Sequence, residues 1–201
     1  MASPAEGSKA EAAVVYSLGS HTQVAQEIRG EVMVDPSTLA SVSGAVVVPI
    51  SGIRGDGGTL DCHMREALGL DYTAGGRFPK EHACDAHDQL PASGPESIAF
   101  PDIKLELLGA RPLDDLGLLG AGQAVRVEVE ARWTLHGVSR TTRELVRVLR
   151  DGPGLHVRGH STVVLADYGI VVKATKVLFS EIKVGVAVTV TYDLRLLPVS
   201  S

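Results

Sequence analysis

Aromatic side chains make up only 4% of the 201 residues, so the core cannot rest on stacked rings and must be filled by aliphatic groups. Cysteine is nearly missing. Cys62 and Cys84 are the only two, too few for the disulfide framework of a small secreted domain, and they leave the compartment open. A Cys62–Cys84 bridge would pin the segment between them and suits an exported protein. No apolar run approaches the ~20 residues of a membrane-spanning helix. Basic charge is not in excess either. The formal net charge of −5 is the reverse of the footprint that phosphate binding requires, which argues against a nucleic-acid partner.

What is present is aliphatic and periodic. The hydrophobic share is 44%, with Val dominant, and branching at Cβ suits a pleated, half-buried surface. The clearest pattern runs from Ala124 to Arg140. Val125, Val127, Val129, Ala131, Trp133 and Leu135 fall on one face, and Arg126, Glu128, Glu130, Arg132, Thr134 and His136 on the other. Strict alternation means a strand buried on one side and wet on the other. At roughly 3.3 Å per residue the run spans about 40 Å. Gly137 breaks it and Thr142–Arg150 resumes an extended pattern, so the pair is a long hairpin forming a wall of a barrel or sandwich. The valine face should look inward, with Trp133 toward one end of the interior.

In chain order, Met1–Ala13 carries no signal-peptide pattern and is expected to be a flexible tail or short helix ahead of a single domain over 14–201. Strands are expected at Ala12–Leu18, Gly30–Val34 and Ala45–Ile50, and the Gly52–Gly58 stretch is too glycine-rich for regular structure. His63–Leu68 reads as a short helix. Gly69–Pro95 has no clear period; within it Tyr72–Gly94 stands out as an inserted loop region, and long structureless loops are usually functional or mobile. Strand patterns return at Ser97–Leu108, at Leu155–Leu165, and at Lys183–Leu197, where Val184, Val186, Val188, Val190, Tyr192, Leu194 and Leu196 fall in step. About eight strands and few helices indicate an all-β protein, a closed or nearly closed antiparallel barrel.

Catalytic signatures fail on inspection. Gly137-Val-Ser139-Arg-Thr lacks the last glycine of a nucleophile elbow. The Gly52–Gly58 loop has no Lys-Ser/Thr pair and is no phosphate cradle. His82-x-Cys84-x-x-His87, with His63 upstream beside Cys62, offers imidazole and thiolate ligands of the kind zinc takes. Its spacing matches no standard zinc motif, and Asp85 and Asp88 suit a solvated loop, so His63, His82, Cys84 and His87 stand as weak metal candidates beside a merely polar reading. Cys62-His63 lacks the earlier cysteine of a haem attachment site. No cofactor and no enzymatic activity is expected.

Several segments taken together resemble one family. Trp133-Thr-Leu-His-Gly-Val-Ser-Arg140 is similar to the L-T-x-H-G-V-[ST]-[KR] signature of the YceI-like, polyisoprenoid-binding proteins, and Asp61-x-His63-Met64-Arg65 to their R-D-x-H-[LM]-R. Gly30-x-Val32-x-Val34-Asp35-Pro36 resembles G-x-V-x-F-D-P, Asp167-Tyr168-Gly169-Ile170 resembles D-[FY]-G-[IV], and Pro95–Phe100 resembles Y-P-x-I-x-F. Five motifs in order cover about residues 30 to 196.

The resemblance implies a bacterial, lipocalin-like barrel whose apolar lumen holds an isoprenoid or fatty-acid-like molecule without catalysis, commonly in the periplasm. The residues expected to line it are Phe100, Val127, Val129, Trp133, Leu135, Val163, Leu165, Tyr168, Val186 and Val188. Asp61, His63 and Arg65 either anchor the short helix or surround a ligand head at the mouth, and His136 is a hydrogen-bonded hairpin residue. The sequence also departs from the family: Leu60 stands where the motif has Arg, Ala67-Leu68-Gly69-Leu70 replaces an aromatic segment, and Tyr16 to Gly30 leaves little room for a second strand. A barrel so abbreviated could be closed by a homodimer partner. The alternative function is a stress-response or interaction module whose barrel is filled by its own side chains.

Overall fold

The computed structural model describes residues 1–17, 19–55, 57–71, 97–172, 175–177, 180–182 and 184–199. The first strands are β1 (Ala2–Pro4), β2 (Lys9–Tyr16), β3 (Gly19–Ala25), β4 (Arg29–Val34), β5 (Val42–Pro49) and β6 (Ile53–Arg54). Helix α1 (Gly58–Gly69) follows, then β7 (Asp102–Pro112), a single helical turn α2 (Gly117–Gly120), β8 (Val125–Leu135), β9 (Val138–Asp151) and β10 (Gly154–Val164). A small ribbon of β11 (Thr175–Val177) and β12 (Ser180–Ile182) precedes β13 (Val184–Pro198).

The registers reduce these pieces to a closed eight-stranded antiparallel barrel. β1 and β2 lie along one edge of β13, with Ala2 opposite Pro198, Pro4 opposite Leu196, Lys9 opposite Asp193 and Val14 opposite Val188. They act as one strand interrupted at Ala5–Ser8, where the Ala5 N–H donates to the Arg195 carbonyl (2.8 Å) and the Ser8 hydroxyl to the same oxygen (3.3 Å). β3 and β4 line the far edge of that strand, Glu11 facing Val24 and Ala2 facing Val32. β5 and β6 line β4 and β3 in turn, parted by a 3₁₀ turn at Ile50–Gly52. β7, β8, β9 and β10 complete the ring back to β13. The β1–β13 pairing closes the ring, and β6 ends the side branch that runs from β13 through β2 and β3.

Two expectations about the amino terminus are corrected. Met1–Ala13 supplies β1 and the first half of β2, because a barrel can close only if the free edge of β13 is satisfied. Room also exists for a strand between Tyr16 and Gly30: Tyr16 pairs directly with Gly19, so the connection is tight, and β3 occupies 19–25. Elsewhere boundaries shift. Strand β7 begins at Asp102, not Ser97, and Ile50 leaves the third strand for the 3₁₀ turn, its N–H bonded to the Pro101 carbonyl at 2.8 Å.

The long hairpin of β8 and β9 is as the alternation required. Val125, Val127, Ala131, Trp133 and Leu135 are buried and Arg126, Glu130 and Arg132 exposed. Its turn is the pair His136-Gly137, with φ of 49° and 74°, the type I′ geometry whose twist matches that of the strands. Glycine is needed at 137 for space as well: a Cβ there would lie 2.8 Å from the Phe100 ring. His136 spends its imidazole on structure, its Nε2 bonded to the Leu70 carbonyl at 2.8 Å and its ring 4.5 Å from that of Phe100.

Helix α1 covers one end of the barrel through Met64, Ala67 and Leu68, which pack with Val14, Ile50, Ile53, Trp133 and Leu135. Its polar residues fix its position. Asp61 accepts from the Gly55 N–H (2.8 Å) and the Gln23 amide (3.3 Å) and contacts His21 Nε2 (3.3 Å), while Arg65 donates to the Ile53 carbonyl (2.9 Å). Burial alone would raise the Asp61 pKa, but the Gly55, His21 and Gln23 bonds outweigh it and hold the carboxyl below its ordinary 3.8. At the other end Leu39 and Leu119 close over Val125, Val127, Tyr192 and Leu196.

Two tests follow from this construction. β4 and β5 approach so closely that a Cβ on Gly44 would sit 2.2 Å from the Glu31 carbonyl oxygen, at a φ of 114°. Gly44→Ala should therefore cost about 2–3 kcal/mol, read as a lower urea midpoint at unchanged slope. Asp61→Asn keeps the volume but loses a charged acceptor for three groups, and should cost roughly 1.5–3 kcal/mol at neutral pH. Because the folded pKa lies below 3.8, this contribution is present above that pH and lost on acidification through and below it. The stability gap between wild type and Asp61→Asn should thus narrow below about pH 4.

Candidate functional site

Barrel radius and strand chemistry together leave the interior unfilled. Two cavities, of about 140 Å³ and about 80 Å³, lie among the residues of the two end clusters. Inward positions on the strands are mostly Val, Leu and Ala, which reach less far across the lumen than rings would. At roughly 24 cal/mol per Å³ of cavity, leaving the larger one empty forgoes about 3 kcal/mol. Dry apolar cavities of about 150 Å³ are known to take up small hydrocarbons.

The larger cavity is walled by Val32, Val46, Leu105, Val127, Val129, Leu194 and their inward neighbours, and the smaller by Met64 and Leu68 of α1 with Gln23, Leu135, Val163 and Val188. Both are lined by Ala10, Ile103, Trp133 and Val190. Trp133 thus lines both cavities and packs with the residues of α1 that cover one end of the barrel.

Of the expected lining residues, Val127, Val129 and Trp133 border the larger cavity and Trp133, Leu135, Val163, Leu165 and Val188 the smaller. Three belong to neither. Phe100 is half-buried against the His136 turn. Tyr168 is buried in the wall packing near α1, where burial raises its phenol pKa. Val186 is 75% exposed, since the register of β13 against β2 shifts between Val184 and Val188 and turns it outward.

Asp61, His63 and Arg65 do not converge on the lumen. The first and last anchor α1, and His63 contacts Glu66 on its own helix at 3.2 Å. Among the described residues no three His, Cys, Asp or Glu side chains are placed to hold a metal. His82, Cys84 and His87 lie outside the described residues, as does the 72–94 insertion. Cys62 is fully buried in α1 and disulfide-bonded.

One polar group in the lumen wall is absent from the sequence expectations. Glu144 shares the inward face of β9 with Val146 and Val148 and borders the larger cavity. Its Oε1 accepts from the Trp133 indole N–H (3.2 Å) and the Thr142 hydroxyl (2.7 Å), and its Oε2 from the Ser161 hydroxyl (2.7 Å). Behind Ser161 lies Tyr192, whose pKa is pushed up to about 12, first by burial and further by the Glu144 charge, against a hydrogen bond with Ser161. Its ring rests on Gly159, where a Cβ would come within 2.6 Å of it. A charged residue on the same parity as Val146 and Val148 was the signal available in the sequence.

No family model and no curated protein matches the chain. Solved structures do. A polyisoprenoid binding domain from Saccharophagus degradans, implicated in plant cell wall breakdown, superposes with a TM-score of 0.62 at 12% identity, over 98% of this chain and 97% of that one. Burkholderia cenocepacia BcnA gives 0.63 at 13% identity over 94% and 95%. The Campylobacter jejuni YCEI protein gives 0.51 at 11% identity over 85% and 83%. Over nearly its whole length, this chain has the YceI-like, lipocalin-like barrel fold.

Proposed function

We propose that the protein is a YceI-like carrier that binds a long-chain isoprenoid or similar amphiphile in its lumen, without catalysis. The observation that carries this reading is the pair of apolar cavities lined by Trp133. A chain threaded there would leave water at about 0.8 kcal/mol per buried methylene and would fill space that the strands leave open. The polyisoprenoid binding that names the Saccharophagus degradans domain supports the same ligand class for a barrel of the same fold. The competing reading, an interaction module with a solidly filled barrel, predicts no such void.

Trp133 provides the assay, being the only tryptophan and a wall of both cavities. Titration with farnesol or geranylgeraniol should shift its emission saturably. Val129 is half-buried beside the void whereas Val127 is fully buried, so Val129→Trp is the better blocking variant. It should fill the larger cavity at an overpacking cost of about 1–3 kcal/mol and abolish binding, scored by native mass spectrometry because the variant adds a second indole. Undiminished prenol binding by a folded Val129→Trp protein would refute a lumenal site.

A further inference from the structure

Unlike the larger cavity, the smaller one has a polar group in its otherwise apolar wall. Gln23 shares the inward parity of β3 with Ala25 and is only 1% exposed. Glu11 also borders this cavity, but it stands on the opposite parity of β2 from Ala10 and Ala12. The orientation of the Gln23 amide is fixed by its neighbours. Asp61 is ionised at neutral pH, its carboxyl being held below the ordinary 3.8, and an ionised carboxylate only accepts hydrogen bonds. The amide nitrogen must therefore face it, and Gln23 Nε2 lies 3.3 Å from Asp61 Oδ1. His21 Nε2 is 3.5 Å from the same nitrogen, so both polar neighbours are on the nitrogen side. Among the described residues no donor reaches the carbonyl oxygen, and that oxygen is not sealed within the protein. The open space that Gln23 borders is the smaller cavity.

A carbonyl left without a donor among apolar side chains is costly. Water satisfies it poorly here, because a stable buried water takes about three polar partners and this wall offers one. We infer that the Gln23 carbonyl anchors the polar end of the ligand, and that this end is an uncharged hydrogen-bond donor, the hydroxyl of a prenyl alcohol. The head then lies beneath α1, beside Met64 and Leu68, and the tail runs toward Ile103, Trp133 and Val190, which also wall the larger cavity. This rests on the lumenal binding reading and adds the head group to it. An aldehyde or ester end sets a second acceptor against the first and leaves both unpaired. A carboxylate end adds desolvation of its charge and repulsion from Asp61 behind the amide.

Farnesol and farnesal share one tail and one heavy-atom skeleton, and differ in whether the terminal oxygen can donate. In isothermal titration calorimetry the wild type should bind the alcohol at least about tenfold more tightly than the aldehyde. Gln23→Met keeps the length of the side chain and removes the amide, and should bring the two compounds to within about threefold of each other. Its melting temperature reports whether the barrel is intact. Because Gln23 also supports Asp61, a second readout uses no variant: in the wild type the Gln23 side-chain amide resonances should shift saturably as farnesol is added. Equal affinity of wild type for alcohol and aldehyde, an unchanged preference in a folded Gln23→Met, or amide resonances that stay in place at saturating farnesol would overturn the assignment while leaving lumenal binding standing. No heat and no adduct by native mass spectrometry with either compound would remove both.

Discussion

Closure of the barrel depends on one unbroken strand. β13 offers fifteen consecutive residues with two hydrogen-bonding edges, and β10 satisfies one of them over Leu155–Val164. The other edge must be met by the amino terminus, which does so in two segments, β1 and β2. Antiparallel pairing transmits that interruption sideways: β3 and β4 separate near 26–28, and β5 and β6 at Ile50–Gly52. Where the broken strands diverge, α1 takes up the space, pinned by Asp61 and Arg65 to the backbone of the β6 region. The helix is thus a consequence of how the first three strands follow β13.

The fold was legible wherever one face of a strand is apolar and the other charged. β8 is the clear case, since Arg126, Glu130 and Arg132 cannot be inside, and a one-residue slip would expose Trp133. β3 was hidden for the opposite reason. Its inward positions include His21 and Gln23, both nearly fully buried, and a polar inward face carries no hydrophobic period. Those groups are tolerable only because Asp61, some forty positions along the chain, meets them. β1 was hidden because three residues are too few to show a period at all. Val186 faces outward against its period because periodicity assumes an uninterrupted register, and the register of β13 against β2 shifts between Val184 and Val188, around it.

The site was legible only as a direction. Alternation says which residues face inward, and most of those expected at the lumen do border a cavity. Whether the lumen is filled depends on barrel radius against summed side-chain volume, which no local pattern encodes. The same limit applies to His136, whose place in a motif suggests chemistry and whose geometry is that of a turn residue binding the Leu70 carbonyl.

Scarcity of aromatics, the first property of the sequence, connects these points. A lumen walled by Val, Leu and Ala around an eight-stranded ring retains open space, and the single tryptophan lines both parts of it. Trp133 can hold that position because its indole N–H is tied to Glu144, and Glu144 can sit half-buried beside apolar neighbours because Thr142, Ser161 and the indole supply donors. The dependence is one-sided: removing the carboxylate would leave the indole N–H without its acceptor, whereas removing the ring would leave Glu144 with the Thr142 and Ser161 hydroxyls. A barrel whose only task was stability would gain by replacing the whole cluster with aliphatic side chains that fill the cavity. The void and the polar cluster behind its wall persist together, and stability alone accounts for neither.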